Sequence, residues 1–352
     1  MKRTVRSSLQ SGRAPARRRH QSGGALLAAM IIVTLVTTLA ASMVWQQWRS
    51  VQVESAERAL VQSQWILRGA LDYGRLILRE DGRNGGPDHL GEPWAVGLAE
   101  SRISSLLAAD RDNTVDAPDG FLSGALVDMG SRYNLYNLID FETVEIIPAQ
   151  LTAFKRLCEY VSVPASQGEA MAQALRKAIL AAHRQDPEKL AKLGGESGRR
   201  QAPLLPQSLD QLTWLGVDAG TVERLRNFVV LLPAAQATPV NVNTASREVL
   251  AAVLPGADLN RADRLVQVRQ RNPFKTTGDV QEVLGNINLA DAQLAVASSY
   301  FEIQGRLRLE DRVLSQRYLV ERTPGGDGNV VVLFENQVAG MDIPEAPDSG
   351  GR

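Results

Sequence analysis

The sequence predicts an α+β fold in which a long amino-terminal helix packs on an antiparallel sheet, and a large all-α insertion interrupts that sheet. Three observations predict it. An uncharged apolar run at 24–44 passes directly into a stretch of helical periodicity. Strand-like alternation appears at 121–139 and returns only after residue 298. Between the two, roughly 150 residues carry apolar positions at helical spacing.

The first element is a membrane span. GALLAAMIIVTLVTTLAASMV, residues 24–44, contains no charged residue. Twenty-one helical residues rise about 32 Å, the thickness of a bilayer's hydrocarbon core. All seven charges before it are basic (Lys2, Arg3, Arg6, Arg13, Arg17, Arg18 and Arg19), which predicts a cytoplasmic amino end. Trp45 and Trp48 follow, where indoles favour the far membrane interface. A conventional signal peptide is the competing reading and predicts cleavage near Ser42, after Leu39-Ala40-Ala41.

The second element continues the first. From Trp45 to Arg79 there is no proline, and Val53, Ala56, Leu60, Leu67, Leu71 and Leu78 recur at helical spacing. Asp81-Gly82 and Asn84-Gly85-Gly86-Pro87 predict its end.

Phe121–Val127, a turn at Gly130 and Tyr133–Leu135 read as strand, turn and strand. Helices are predicted over Ala149–Val161, Gly168–Arg184 and Val217–Leu232, with a second helical unit from Asn243 to about Ala297. Tyr300–Leu309, Val313–Glu321 and Val330–Phe334 read as return strands.

Composition narrows the function. Of 39 basic residues, seven precede Gly24, so the remainder carries 32 against 39 acidic, a net of about −7. That balance argues against a general nucleic-acid binder. Cys158 is the single cysteine, so no intrachain disulfide forms and the thiol is expected to be a buried hydrophobe. Three histidines and the lack of any zincin, nucleophile-elbow, phosphate-loop or dinucleotide motif predict that the chain is not an enzyme. No sequence cluster predicts a metal site. His89 is expected to make a hydrogen bond and Trp94 to anchor a core or interface.

A basic leader, a glycine, an apolar helix and an amphipathic continuation resemble the type IV pilin-like proteins. In those, a membrane peptidase cuts after the glycine, which maps here to the Gly23–Gly24 junction. Most pilins carry a glutamate at mature position five, where this chain has Ala28. That departure resembles the GspK family, the large minor pseudopilin of type II secretion. Further strings resemble the family in order: Asp88-His89-Leu90-Gly91-Glu92-Pro93-Trp94-Ala95, Asp128 through Leu138, Pro206 through Leu212, Pro239-Val240-Asn241-Val242-Asn243-Thr244-Ala245, and Ser298-Ser299-Tyr300-Phe301. The resemblance covers about residues 20–322. The asparagines in these strings are expected to cap turns and helices.

The resemblance implies a type IV pilin-like fold with a SAM-like or helix-hairpin-helix-like insertion. The implied domains are a cleaved prepilin leader at 1–23 and a transmembrane helix at 24–44. The pilin-like domain begins at 45–145, followed by helical units at 146–236 and 237–297. Return strands at 298–340 and a disordered tail at 341–352 complete the chain. The implied role is to cap the pseudopilus tip, to initiate its assembly and to aid export of folded proteins. The new amino terminus would be methylated.

Implied partners are the I- and J-type minor pseudopilins, the major pseudopilin, the prepilin peptidase and the inner-membrane assembly platform. The location is the inner membrane with the bulk periplasmic. Leu60, Leu67 and Leu71 are the expected seam with partner helices. Cofactors are expected to be none. The family is known for calcium, but Asp186, Glu188 and Glu196 in 185–205 are interleaved with Lys189, Lys192, Arg199 and Arg200.

One rival is a membrane-anchored DNA receptor, because 240–274 also resembles helix-hairpin-helix modules of competence proteins. Its hairpin, Pro255-Gly256-Ala257-Asp258, has an aspartate in place of the second glycine, and that charge repels phosphate.

Overall fold

The computed structural model describes residues 22–107, 120–183, 186–233, 237–285, 289, 292–309, 312–323 and 328–338. The leader residues before Ser22 and the 341–352 tail lie outside them. The chain divides into two units, 1–62 and 63–352.

Helix α1 is assigned over Ser22–Asn84. In the first unit its residues are solvent-facing or partly so, including Gly23, Gly24, Ala28, Trp45, Trp48 and Leu60. It is the one helix among the described residues that is long and apolar enough to cross a membrane.

From Ser63 onward α1 belongs to the second unit and buries one stripe. Leu67, Leu71 and Leu78 are at most 2% exposed. Leu71 and Leu78 cluster with Trp94, Phe301, Ile303, Tyr318 and Val320, and Leu67 clusters with Ile103, Leu122 and Leu307. Each such leucine contributes about 1.5–3 kcal/mol by burial. Close approach of helix to sheet depends on two glycines. A Cβ at Gly74 would lie 3.0 Å from Ile303 Cγ2, and one at Gly305 would lie 3.1 Å from Leu67 Cδ2.

This corrects the expected partner seam. Leu67 and Leu71 are core residues of the head and have no surface to offer a second helix. Leu60, 43% exposed, remains on the surface. Periodicity locates an apolar stripe without saying whether a sheet of the same chain or another subunit covers it.

After α1 come β1 (Leu98–Arg102) and α2 (Ile103–Leu107), neither of which the sequence reading placed. Strand β2 is Gly120–Asp128, and β3 is Tyr133–Asn134. The helical body carries α3 (Pro148–Tyr160), α4 (Ala165–Ala182), α5 (Pro187–Lys192), α6 (Gly195–Gln201), α7 (Ala219–Leu225) and β4 (Val229–Val230). It continues through β5 (Val240–Asn241), α8 (Arg247–Val253), α9 (Leu259–Arg271), α10 (Thr277–Leu284) and β6 (Leu294–Ala295). Strands β7 (Tyr300–Leu309), β8 (Arg312–Arg322) and β9 (Val330–Val338) close the fold.

The main sheet is antiparallel in the order β1-β2-β7-β8-β9. The insertion lies between β2 and β7, which are direct neighbours with Asp128 opposite Phe301. Its two ends therefore meet at one end of the sheet.

Two local expectations change. Tyr133–Asn134 does not fold back along β2 but pairs in parallel with Val229–Val230. For the same reason the helix expected over Val217–Leu232 stops at Leu225, since the β-branched pair that follows is taken by this strand. The insertion's core already includes Tyr133, Leu135, Leu138 and Val144, so residues assigned to the pilin-like part pack with the insertion. That core runs on through Val280, joining both helical units. Cys158 is buried in it, and burial pushes its thiol up to about 12.

Candidate functional site

The sequence strings of interest converge where the insertion leaves and rejoins the sheet. Strand β8 alternates inward, with Tyr318 and Val320 buried in the core under α1. Continuing that period brings Arg322, 6% exposed, to the same inner side. A guanidinium there requires partners. Its Nη2 donates to Asp88 Oδ1 and Oδ2, both at 2.6 Å, and to the Ser298 carbonyl at 2.9 Å, while Nη1 donates to Asp81 at the end of α1. The guanidinium carbon also stands 4.7 Å over the Phe301 ring.

Asp88 in turn accepts from the Ser298 backbone N–H at 2.6 Å. Asp128, at the end of β2, is fully buried. Its Oδ1 accepts from Gly130 N at 2.7 Å, and its Oδ2 accepts from Asn241 Nδ2 at 3.0 Å and Thr244 Oγ1 at 2.5 Å. Asn241 Nδ2 also approaches the Asp88 carbonyl at 3.1 Å and Ser298 Oγ at 3.2 Å. Gly130 has no room for a side chain, because a Cβ would stand 2.3 Å from Ser298 Oγ. Six separate segments are thus tied in one polar knot: the end of α1, the loop at 88–94, β2, the Asn241–Thr244 string, the 298–301 return and the end of β8.

Burial raises the carboxyls of Asp81, Asp88 and Asp128 above the usual range, with Arg322 drawing the first two back down. For Arg322 the desolvation cost is outweighed by the hydrogen bonds and charges of Asp88 and Asp81, so its pKa is raised.

The asparagines do more than cap. Asn134 does accept from Tyr136 N, but its amide also pairs with the backbone N–H and carbonyl of Leu232 at 3.1 and 3.3 Å. Asn137 holds Thr238 at 2.9 and 2.7 Å in the same way, and Asn243 holds Phe274 at 2.9 and 2.9 Å. Each side-chain amide replaces a strand neighbour for an irregular segment whose backbone groups are buried.

Trp94, 1% exposed, meets Phe301 edge-on with centroids 5.3 Å apart and donates from Nε1 to Glu92 at 2.7 Å. His89 accepts from Gly91 N at 3.1 Å through Nδ1. Oxygens of Asp81, Asp88 and Glu92 approach within 4.8 Å of one another. They are a poor fit to calcium: Arg322 already supplies the cation, and Glu92 accepts from His89 N and Trp94. In the 185–205 stretch Asp186 caps α5 and Glu196 pairs with Arg199 at 2.8 Å.

The hairpin between α8 and α9 has Gly256 at φ +70° and Asp258 as the cap of α9, accepting from Arg261 N at 2.9 Å. A carboxylate therefore sits where a phosphate would bind, and Arg269 is turned inward to the Val242 carbonyl at 2.6 Å.

Sequence reasoning had named Asp88, Asp128, Asn241 and Ser298 through their strings but not joined them. It missed Arg322, and Asp81 figured only as a signal for the end of the long helix. The available signal for Arg322 was its place at an inward position of an alternating strand. Gly23, Gly24, Ala28, Trp45 and Trp48 belong to the first unit and take no part in this site.

Two family models match the chain, both described as type II secretion system (T2SS) protein K, one over residues 131–234 and the other over 240–301. The fold is similar to a chain of the crystal structure of the GspK-GspI-GspJ complex from the enterotoxigenic Escherichia coli type 2 secretion system. The TM-score is 0.59 at 20% identity, covering 80% of this chain and 98% of that one. No curated protein sequence matches.

Proposed function

This chain belongs to the type II secretion system protein K family, and on that premise we propose that it caps the tip of the secretion pseudopilus. It is a minor pseudopilin, and its work is assembly by shape. The observation that carries the tip reading is the placement of the insertion. A helical body inserted between Asp128 and Phe301 enlarges one end of the sheet, and the polar knot holds it there. Such a head obstructs a subunit stacked beyond it, which a tip position tolerates. Ala28 supports the same reading, since a shaft subunit needs a carboxylate there to pair with its neighbour's amino group.

In this reading the apolar span of α1 anchors the chain in the inner membrane, with its amino end cytoplasmic and the second unit periplasmic. Prepilin peptidase cuts between Gly23 and Gly24. The solved relative is a GspK-GspI-GspJ complex, and we infer corresponding I- and J-type partners here. Labelled protein on overexpressed pseudopili is expected at one end of each fibre. Label along the full length overturns the tip assignment.

A further inference from the structure

One face of the main sheet is covered by α1, and the other carries arginines. Leu307, Leu314 and Tyr318 belong to the clusters under α1. Alternation therefore turns Arg306, Arg308, Ser315 and Arg317 to the outer face. Strand pairing sets them in rows: Arg308 opposite Val313, Arg306 opposite Ser315, and Gln304 opposite Arg317. In the next row Leu319 clusters with Val230 and Leu232 of the insertion.

These charges are unevenly answered. Arg308 donates to Glu100 at 2.7 Å and stands 4.2 Å over the Phe121 ring. Arg317 approaches Glu302 at 3.9 Å. Arg306 has no carboxylate partner among the described residues, and its buried Nε donates to nothing. Ser315, directly opposite and 4% exposed, has a hydroxyl that is also unpaired. Four buried side-chain atoms among the described residues lack a hydrogen-bond partner, and two of them are this facing pair. Such orphans call for an explanation, and two side by side point to a shared acceptor. Arg132, half-buried just before β3, likewise has no hydrogen bond or salt bridge among the described residues. Burial lowers its pKa, Glu302 works against that, and Arg317 and Arg226 add to it.

A guanidinium Nε beside a hydroxyl suits a carboxylate, which accepts at both oxygens. The chain itself brings carboxylates to this place. Strand β9 ends at Val338, which pairs with Ser315 in the row of Arg306. The residues after it lie outside the described ones, and they include Asp342, Glu345 and Asp348 against one basic residue, Arg352. Neighbouring strands stand about 4.8 Å apart, so the row from Val338 to Arg306 measures about 10 Å. Asp342 is four residues further on, within a reach of about 13 Å of extended chain. Glu345 follows within about 10 Å more, past Arg317 and towards Arg132.

We propose that the acidic segment after Val338 lies over the outer face of the sheet, with Asp342 bonded to Arg306 Nε and Ser315 Oγ and Glu345 facing Arg132. Arg306 is only half-buried, and rotation about its side-chain bonds presents Nε to a carboxylate above the sheet. A carboxylate on the same chain is favoured over a free anion, because β9 delivers it at high effective concentration. The contact is internal to the chain and stands or falls apart from the tip reading.

The test is a photo-crosslinking residue in place of Ile343 in the full-length chain, in detergent, with the captured peptide identified by mass spectrometry. Capture of β7 or β8 of the same chain is expected. Arg306→Glu is expected to lower that yield about fivefold, as is Asp342→Arg. Combining the two is expected to restore it. Circular dichroism checks the fold of Arg306→Glu, and Asp342→Arg removes the same contact without altering the sheet. Yield unchanged by a natively folded Arg306→Glu and by Asp342→Arg, capture of other segments, or crosslinked dimers in place of an internal link each overturn the proposal. Inorganic phosphate supplies the remaining arm. A thermal midpoint raised by phosphate in the wild type and not in Arg306→Gln, with no capture of β7 or β8, assigns the site to a free oxyanion and overturns the segment as its occupant.

Discussion

Asn241 Nδ2 lies 3.0 Å from Oδ2 of Asp128, so the insertion is hydrogen-bonded back to the last residue of the strand from which it departs. That bond closes a loop through the whole helical body. It makes the position of the insertion a property of a few buried side chains.

Breaking the knot should therefore be costly. Asp128→Ala leaves the donors of Gly130, Asn241 and Thr244 without their acceptor. The expected loss of unfolding free energy is about 2–5 kcal/mol by denaturant titration. A loss within error would mean that water satisfies those donors.

The same carboxyl sets a pH dependence. Burial raises the Asp128 pKa above 3.8, its value when unfolded. Its contribution is therefore fully present below that unfolded value and is lost as pH rises through the folded one. Asp128→Asn cannot titrate, so the stability gap between wild type and Asp128→Asn should widen as pH falls from about 8 towards about 4. A gap independent of pH would show that the carboxyl is not held in a raised state.

Two substitutions on opposite sides of α1 should separate core from surface. Leu67→Ala is expected to destabilise by about 2–5 kcal/mol. Trp65→Ala, two residues away and outward, should change stability by about 0.5 kcal/mol or less. Similar losses from both would place the helix differently on the sheet.

The two glycines of α1 should likewise behave differently. Gly69→Ala should stabilise the isolated chain by about 1 kcal/mol, because the methyl enters open space. Gly74→Ala should not show that gain, since Ile303 Cγ2 stands 3.0 Å from the new Cβ. Thermal melts of both variants decide it.

Amino-terminal sequencing of the mature protein is expected to begin at Gly24, and Gly23→Val should block cutting. A start near Ser42 would indicate a conventional signal peptide. Thermal midpoints with and without a calcium chelator are expected to agree. A drop of many degrees would reveal ligands beyond those bound to Arg322.

The sequence by itself determined the elements whose periodicity is strong. The apolar run at 24–44, the helix ending at Asn84 and the strands beginning at Tyr300 and Arg312 are legible because each follows one spacing over ten or more residues. Short elements such as β1 and β3 were decided by their partners, since two to five residues carry too little pattern to outweigh context.

The same distinction holds at the site. Asp88, Asp128 and Asn241 stand far apart along the chain, and only the pairing of β2 with β7 brings them together with Arg322. Tertiary structure also decided which apolar face of α1 is core. Leu67 and Trp65 are both large and apolar, and a helix alone cannot choose between them. The sheet covers the side where Gly74 and Gly305 permit close approach, and Trp65 is left facing outward.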